Sequence, residues 1–327
     1  MPGRLRSIEE LFATVSDALP GEWKANLHTA PCQRATPVAL LRNLLWAGSL
    51  PRAQIVHQTG DIHYAVLSIW RCPVVLTIHD LRFIDESRGI KRLLFLLVWL
   101  YLPCLWSNRI TVISDFTKRR LLAICRVNPR KVRVISNCVA AEFTALAKPW
   151  SDDRPRVLVV GTTKNKNLTR IIKACDGLNI QLCILGRLSE TQQAQLNDQT
   201  VEHEAYHSLS RQQVVALYQS CDLVCFVSTY EGFGMPILEA QSVGRAVLTS
   251  DISPMAEVAG EGALRVDPFD IDAIRGGLMR LLTDRELRKH LIDEGFRNVE
   301  KYSAESIAAQ YAELYRELVE GTMGNKV

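Results

Sequence analysis

Paired cysteine spacings, an apolar leader and an uncharged run of bilayer length are all missing from this chain. Its nine cysteines are scattered, mostly inside apolar stretches. Buried thiols in a reducing compartment are therefore expected, not a disulfide framework. The first ten residues, Met-Pro-Gly-Arg-Leu-Arg-Ser-Ile-Glu-Glu, have no signal-like apolar core, so export is not expected and a cytoplasmic location is. Leu93–Trp106 carries no charge for fourteen residues but is interrupted by Pro103. A span needs about twenty apolar residues, so a buried core helix is expected there. Peripheral membrane contact, bordered by Arg92 and Arg109, is the alternative.

What is present is the make-up of a soluble globular protein: 327 residues, 47% hydrophobic and 23% charged, enough for two domains. Charge is uneven. Residues 1–150 carry a net +10 and residues 151–327 a net −6. Between Phe116 and Ala141 seven basic residues meet no acid. That is either a solvated helix face or a contact for anionic lipid, at the inner face of a plasma membrane, or for a pyrophosphate-linked acceptor. Nucleic acid is not an expected partner, because the basic half has neither aromatic-studded nor recognition-helix motifs.

Short buried-strand patterns alternate with helical ones, which predicts two doubly wound parallel α/β domains. Strands are expected at 54–58, 74–78, 109–113 and 132–135, then at 157–160, 181–185, 223–227, 246–249 and 264–266. The expected domains are residues 1–145 and 156–303, joined by a Pro- and Asp-containing linker at 146–155. A final helix over 304–327 places Ile307, Tyr311, Leu314, Tyr315 and Leu318 on one face. Ser7-Ile-Glu-Glu10 predicts a capping box for a first helix with Ile8, Leu11, Phe12 and Val15 as its stripe.

The densest chemistry lies in Glu231-Gly-Phe-Gly-Met-Pro-Ile-Leu-Glu239. A buried strand runs into a glycine turn and then a helix with Pro236 in its first turn. Such a start leaves N–H groups free for an anion, with Glu239 one turn inside to meet a polyol and Glu231 before the glycines. A second strand ends at Gly161 and leads through Thr162, Thr163, Lys164 and Lys166 into a helix. A third ends in His79-Asp80, and His57-Gln-Thr-Gly60-Asp61-Ile-His63 ends the strand before it. His203-Glu-Ala-Tyr-His207 spells a zinc motif, but it precedes a helix cap at Ser210 and cannot converge as a helical pair would.

These motifs resemble the retaining nucleotide-sugar glycosyltransferases of family 4, group 1, built on the GT-B fold of two Rossmann-like domains facing a cleft. The resemblance is strongest from Arg156 to about Tyr315 and looser back to about Gln54. It implies a donor, a nucleoside-diphosphate sugar, held by the second domain, and a glycan or lipid-linked acceptor on the first. Glu239 would bind the ribose and Glu231 the transferred sugar. Gly232, Phe233, Gly234, Met235 and Pro236 would present backbone to the diphosphate. Lys166, with Lys164, would grip that diphosphate in place of a metal ion, so neither metal nor cofactor is expected. His79 takes the family's histidine facing the sugar, and Ser114 its strand-end serine on the acceptor side. Gly186, Arg187 and Tyr206 are the candidates for flanking the base. The last helix would cross back to the first domain. A strand normally precedes the first helix in that fold; here either that strand is expected to be absent or the chain begins downstream of the usual start. The competing readings are a non-catalytic nucleotide-sugar-binding or scaffold member, and an epimerase or hydrolase acting on the same donor.

Overall fold

The computed structural model describes residues 3–32 and 36–324. They form two compact units, one made of residues 1–138 and 304–327 and the other of residues 139–303.

In the first unit, β1 (Val56–Gln58), β2 (Val74–Ile78), β3 (Arg109–Val112) and β4 (Val132–Val134) form a parallel sheet in sequential order. Among the described residues no strand precedes β1. Every residue of β2 is buried, as a sheet covered on both faces requires. On one face Leu76, Ile78 and Ile110 pack with Leu100, Cys104 and Leu121. On the other, Val75 and Ile135 pack with Phe12 and Val15 of the Gly3–Asp17 helix and with Ile307, Tyr311 and Leu314 of the Ala304–Gly324 helix. The two apolar stripes thus meet each other over the sheet. The first helix runs from Gly3 to Asp17, so it begins before the Ser7 position at which the capping box is expected to start it. Arg4, Leu5 and Arg6 are good helix formers, which lets the helix extend past that serine.

Gly89–Trp106 is a continuous helix whose middle, Phe95–Tyr101, has π geometry. Among the described residues it is the one helix long and apolar enough to cross a membrane by length and composition. It is not the core helix expected. Only 17% of the segment is buried, because its apolar residues surround the axis while the sheet covers one side.

In the second unit, β5 (Arg156–Val160), β6 (Gln181–Leu185), β7 (Glu202–Tyr206), β8 (Leu223–Phe226), β9 (Ala246–Ser250) and β10 (Leu264–Val266) form a parallel sheet ordered β10-β9-β8-β5-β6-β7. The strand order reverses between β5 and β8, the point at which open α/β sheets open a crevice beyond their strand ends. β7, Glu-His-Glu-Ala-Tyr, is an edge strand with charged side chains, a composition that protects edges.

The expected linker at 146–155 is part of this unit. Phe143 is buried against Tyr218 at a ring distance of 5.3 Å, Lys148 pairs with the buried Asp222, and Arg288 stacks on Trp150 at 3.7 Å. These anchors outweigh the turn-forming prolines and aspartates, and the chain passes from one unit to the other at Cys138–Val139.

Candidate functional site

The loops after β5 and β8 are stitched together beside the strand-order reversal. After β5 the chain turns at Gly161, with φ +91, and makes a 3-10 turn over Lys164–Lys166. Asn165 then binds the other loop four times, once through Thr229 Oγ1, which donates to its carbonyl at 3.3 Å. Its carbonyl accepts from Thr229 N (2.8 Å), and its Nδ2 donates to Tyr230 O (2.9 Å) and Glu231 Oε1 (3.2 Å). Thr163 Oγ1 donates to Asn165 Oδ1 at 2.8 Å, which fixes the amide. Asn167 adopts a left-handed conformation, and its buried Nδ2 reaches Val227 O and Pro268 O.

Lys166 Nζ lies 2.7 Å from Glu231 Oε1 and 4.5 Å from the centre of the Phe226 ring. Both charged side chains are mostly buried, so each compensates the other's loss of water. Gly161 makes this geometry achievable, since a Cβ there would sit 2.8 Å from Lys166 Cγ. On the far side of the turn, Gly234 (φ +117) caps the Met235–Ser242 helix, with Pro236 in its first turn as expected. Phe233 is buried against Tyr302 at 5.9 Å.

Glu239 follows one turn inside that helix. Tyr218 OH donates to its Oε2 at 2.6 Å, and Arg211 approaches Oε1 at 3.8 Å while lying over the Phe143 ring at 4.7 Å. Burial pushes the Glu239 carboxyl above its ordinary pKa, while the Tyr218 hydrogen bond and Arg211 oppose the rise. The Tyr218 phenol is raised well above its ordinary value, by burial first and by Glu239 next.

Lys166, Glu231, Gly161, Gly232, Phe233, Gly234, Met235, Pro236 and Glu239 therefore share one neighbourhood around the reversal. Thr162 and Gly186 belong to the next crevice wall. A Cβ on Gly186 (φ +151) would sit 2.8 Å from Thr162 Cγ2, and Thr162 Oγ1 donates to Arg187 O at 2.7 Å. The Thr163, Lys164 and Arg187 side chains are exposed. Tyr206 does not join them. Its hydroxyl bonds Glu204 and accepts from Arg156 Nη2 (3.1 Å), which draws it back toward the start of the strands and away from the base-flanking place expected.

Sequence reasoning passed over Asn165, Arg211 and Tyr218. Asn165 stood inside the Lys-Asn-Lys-Asn string and could have been suspected. Nothing local marks Tyr218, 21 residues from its partner.

No group of three or more His, Cys, Asp or Glu side chains that could hold a metal occurs among the described residues. His203 lies on strand β7, so His203 and His207 are not a helical pair. The literal Asp270-Ile-Asp272 is spent on a helix start, Asp270 Oδ1 accepting from Asp272 N and Ala273 N.

In the first unit the candidates divide. His57 is half-buried and held at both ring nitrogens. Nδ1 contacts Tyr315 OH at 2.7 Å, Nε2 contacts Thr77 Oγ1 at 2.6 Å, and Phe12 meets the ring edge-on. Burial lowers its pKa to about 3. His63 is buried, with Nδ1 donating to Trp99 O at 3.0 Å and burial lowering its pKa. Neither fits the acceptor-side role expected of it, since a strand-end position does not by itself turn a side chain outward. Gly60, Asp61, His79, Asp80 and Ser114 lie at or just beyond the ends of β1, β2 and β3. His79 Nε2 donates to Thr59 O at 2.8 Å, Asp80 accepts from Arg82 N, and Ser114 caps the Asp115–Ile124 helix through Thr117 N. Of the basic run, Arg120 forms a fork with Asp85 and Arg133 pairs with Glu317.

The half-buried, desolvated His57 makes a stability prediction. Its unfolded-state value is the ordinary 6.5 and its folded value about 3, so the unfolded chain binds the extra proton between them. Stability present above pH 6.5 is then lost as pH falls toward 3, at a limiting slope of about 1.4 kcal/mol per pH unit. Denaturant midpoints measured across that interval should fall, and His57→Gln should flatten the fall.

Residues 143–298 match the model of group 1 glycosyl transferases, and residues 18–143 match that of glycosyltransferase family 4. The chain belongs to the group 1, family 4 glycosyltransferases. An uncharacterized glycosyltransferase of Methanocaldococcus jannaschii is 26% identical over 281 residues, 76% of this chain and 70% of that one. The O-antigen chain mannosyltransferase B of Escherichia coli is 35% identical over 100 residues, 31% of this chain and 26% of that one. The matched stretch thus spans about a quarter of the mannosyltransferase. Sucrose-phosphate synthase from Thermosynechococcus elongatus shares the fold with a TM-score of 0.74 at 17% identity, covering 97% of this chain and 93% of that one. The fold is that of the GT-B glycosyltransferases.

Proposed function

We propose that this protein is a retaining, metal-independent hexosyltransferase. It would move a sugar from a nucleoside-diphosphate donor held by the second unit to a glycan or lipid-linked acceptor, in the synthesis of a surface polysaccharide or lipopolysaccharide. The contact of Lys166 with Glu231, beside the glycine-capped helix start, carries this reading. An ammonium has three N–H donors, so Lys166 can keep Glu231 and still meet a phosphate oxygen. As the sugar–phosphate bond breaks, negative charge builds on the diphosphate, and a lysine fixed on Phe226 stabilises it without reorganising. Glu231, held by Asn165, lies where positive charge develops on the sugar. The departing phosphate oxygen can take the acceptor hydroxyl's proton as the new glycosidic bond forms. The mannosyltransferase relative supports a polysaccharide acceptor. Acceptor recognition is assigned to the strand-end groups of the first unit, His79, Asp80 and Ser114 among them.

Thermal unfolding with a panel of UDP-, GDP- and dTDP-sugars, followed by the anomeric configuration of the product, tests the proposal. Stabilisation by no donor, or an inverted product, would overturn it. Glu239 adds a pH signature. A ribose hydroxyl donates to the ionised carboxylate, and burial raises this group's pKa. Donor affinity should therefore be lost, as pH falls, at higher pH than for an ordinary glutamate. Glu239→Gln should remove that dependence and weaken donor binding about 10- to 100-fold. Calorimetry at several pH values would check both.

A further inference from the structure

The Gly89–Trp106 helix presents its apolar residues to water in a pattern that solvent alone does not explain. Ile90, Leu93, Leu94, Leu97, Tyr101 and Leu105 are all exposed, Ile90 by 79% and Leu93 by 66%. Their steps of three and four place them on one face. On the opposite face Leu96, Leu100 and Cys104 enter the core, and Trp99 packs on Tyr64 at 4.5 Å. Trp106 Nε1 donates to Ile69 O at 2.7 Å, so the helix is fastened along its length to the unit beneath it. A second helix, Pro37–Ser49, repeats the pattern. It buries Ala39, Asn43 and Ala47 and exposes Val38, Leu41 and Leu45. Both helices pack on the same His63–Ser68 segment, and Trp70, 69% exposed, follows it. Exposed apolar area of this extent marks an interaction surface.

Charge decides the partner. No acidic residue occurs between Trp23 and Gly60 or between Ser87 and Ser114. Exposed Arg88, Lys91 and Arg92 stand at one end of the long helix, and Arg42, Arg52 and Arg71 accompany the shorter one and Trp70. Pairing this face with a second copy would set basic rim against basic rim. An anionic lipid surface satisfies both components, apolar side chains entering the acyl boundary and basic ones meeting headgroups. Spanning is ruled out by the inner face, which is committed to the core.

We propose that this face docks the protein flat on an anionic bilayer, with the Gly89–Trp106 helix in the headgroup layer. This goes beyond the donor chemistry and is measured without any sugar. The full chain should co-sediment with vesicles containing about one-third phosphatidylglycerol, and bind purely zwitterionic vesicles at least about tenfold less. Leu93→Glu with Leu97→Glu should weaken binding to the anionic vesicles about a hundredfold. Both side chains are exposed, so the unfolding midpoint and stabilisation by donor should stay at wild-type values. Wild-type protein left in the supernatant of anionic vesicles would overturn the proposal, as would equal binding by the double variant. A lipid-free dimer abolished by the double variant, in a protein that ignores vesicles, would assign the face to a second copy instead.

Discussion

Replacing Lys166 by alanine should lower turnover about 100- to 1000-fold at saturating donor, the usual cost of removing a fixed group that stabilises charge formed only in the transition state. The physical basis is its confinement. The ammonium is held by Glu231 at 2.7 Å and by the Phe226 ring at 4.5 Å, and its stem fills the space a side chain at Gly161 would occupy. Donor affinity should fall much less, because Gly232–Pro236 backbone and Glu239 would still hold the substrate. Arginine should not rescue, since a planar guanidinium cannot follow the same path under Gly161. Steady-state kcat and KM with the donor found by thermal screening check this. A kcat within about fivefold of wild type would show that leaving-group stabilisation lies elsewhere.

Gly262→Ala should be the most destabilising small substitution in the second unit. A Cβ there would lie 2.5 Å from Gly295 Cα and 2.6 Å from Gln241 Nε2. Gly295 is backbone of the Arg285–Val299 helix and cannot swing aside. Gln241 is no freer. Its Nε2 donates to Ala259 O and Gly262 O, and its Oε1 accepts from Asn298 Nδ2, which also reaches Val258 O. Forcing apart this buried amide cluster combines overpacking with lost hydrogen bonds, about 3 kcal/mol or more. The Met235–Ser242 helix carries both Gln241 and Glu239, so donor binding should weaken with stability. Gly276→Ala is the matched control. A Cβ there meets nothing within 4 Å inside the Ile271–Thr283 helix, so stability should rise by about 0.5–1 kcal/mol. Equal denaturant midpoints for the two variants would contradict both assignments.

The second unit was the more legible in sequence. β5, β6, β8, β9 and β10 are continuous apolar runs because a parallel sheet is covered on both faces, and the motifs sit at their ends. β7 reads in sequence as either strand or loop, because an edge strand with three charged or imidazole side chains lacks a buried-strand pattern. The placing of Glu231 and Glu239 on either side of a glycine turn is readable from their spacing, whereas the choice of Lys166 comes from the resemblance to the family. Tyr218 and Arg211 were readable from neither, since what joins them to Glu239 is the packing of one helix on another. In the first unit His57 and His63 misled for a related reason. A histidine at a strand end can point inward, and only its neighbours decide. The Leu93–Trp106 run misled in the opposite sense, since an all-round apolar pattern states what a helix can bury and not how much of it is covered.

The Ala304–Gly324 helix completes the core of the first unit from the far end of the chain, against Phe12 and Val15. During synthesis residues 139–303 are therefore made before the helix that closes the first unit's core. Until the last turns emerge, Val75 and Ile135 are bare on one side of their sheet, and a chaperone has a defined interval in which to hold it. Gene fragments ending near Ser303 should yield inclusion bodies, not a smaller active protein.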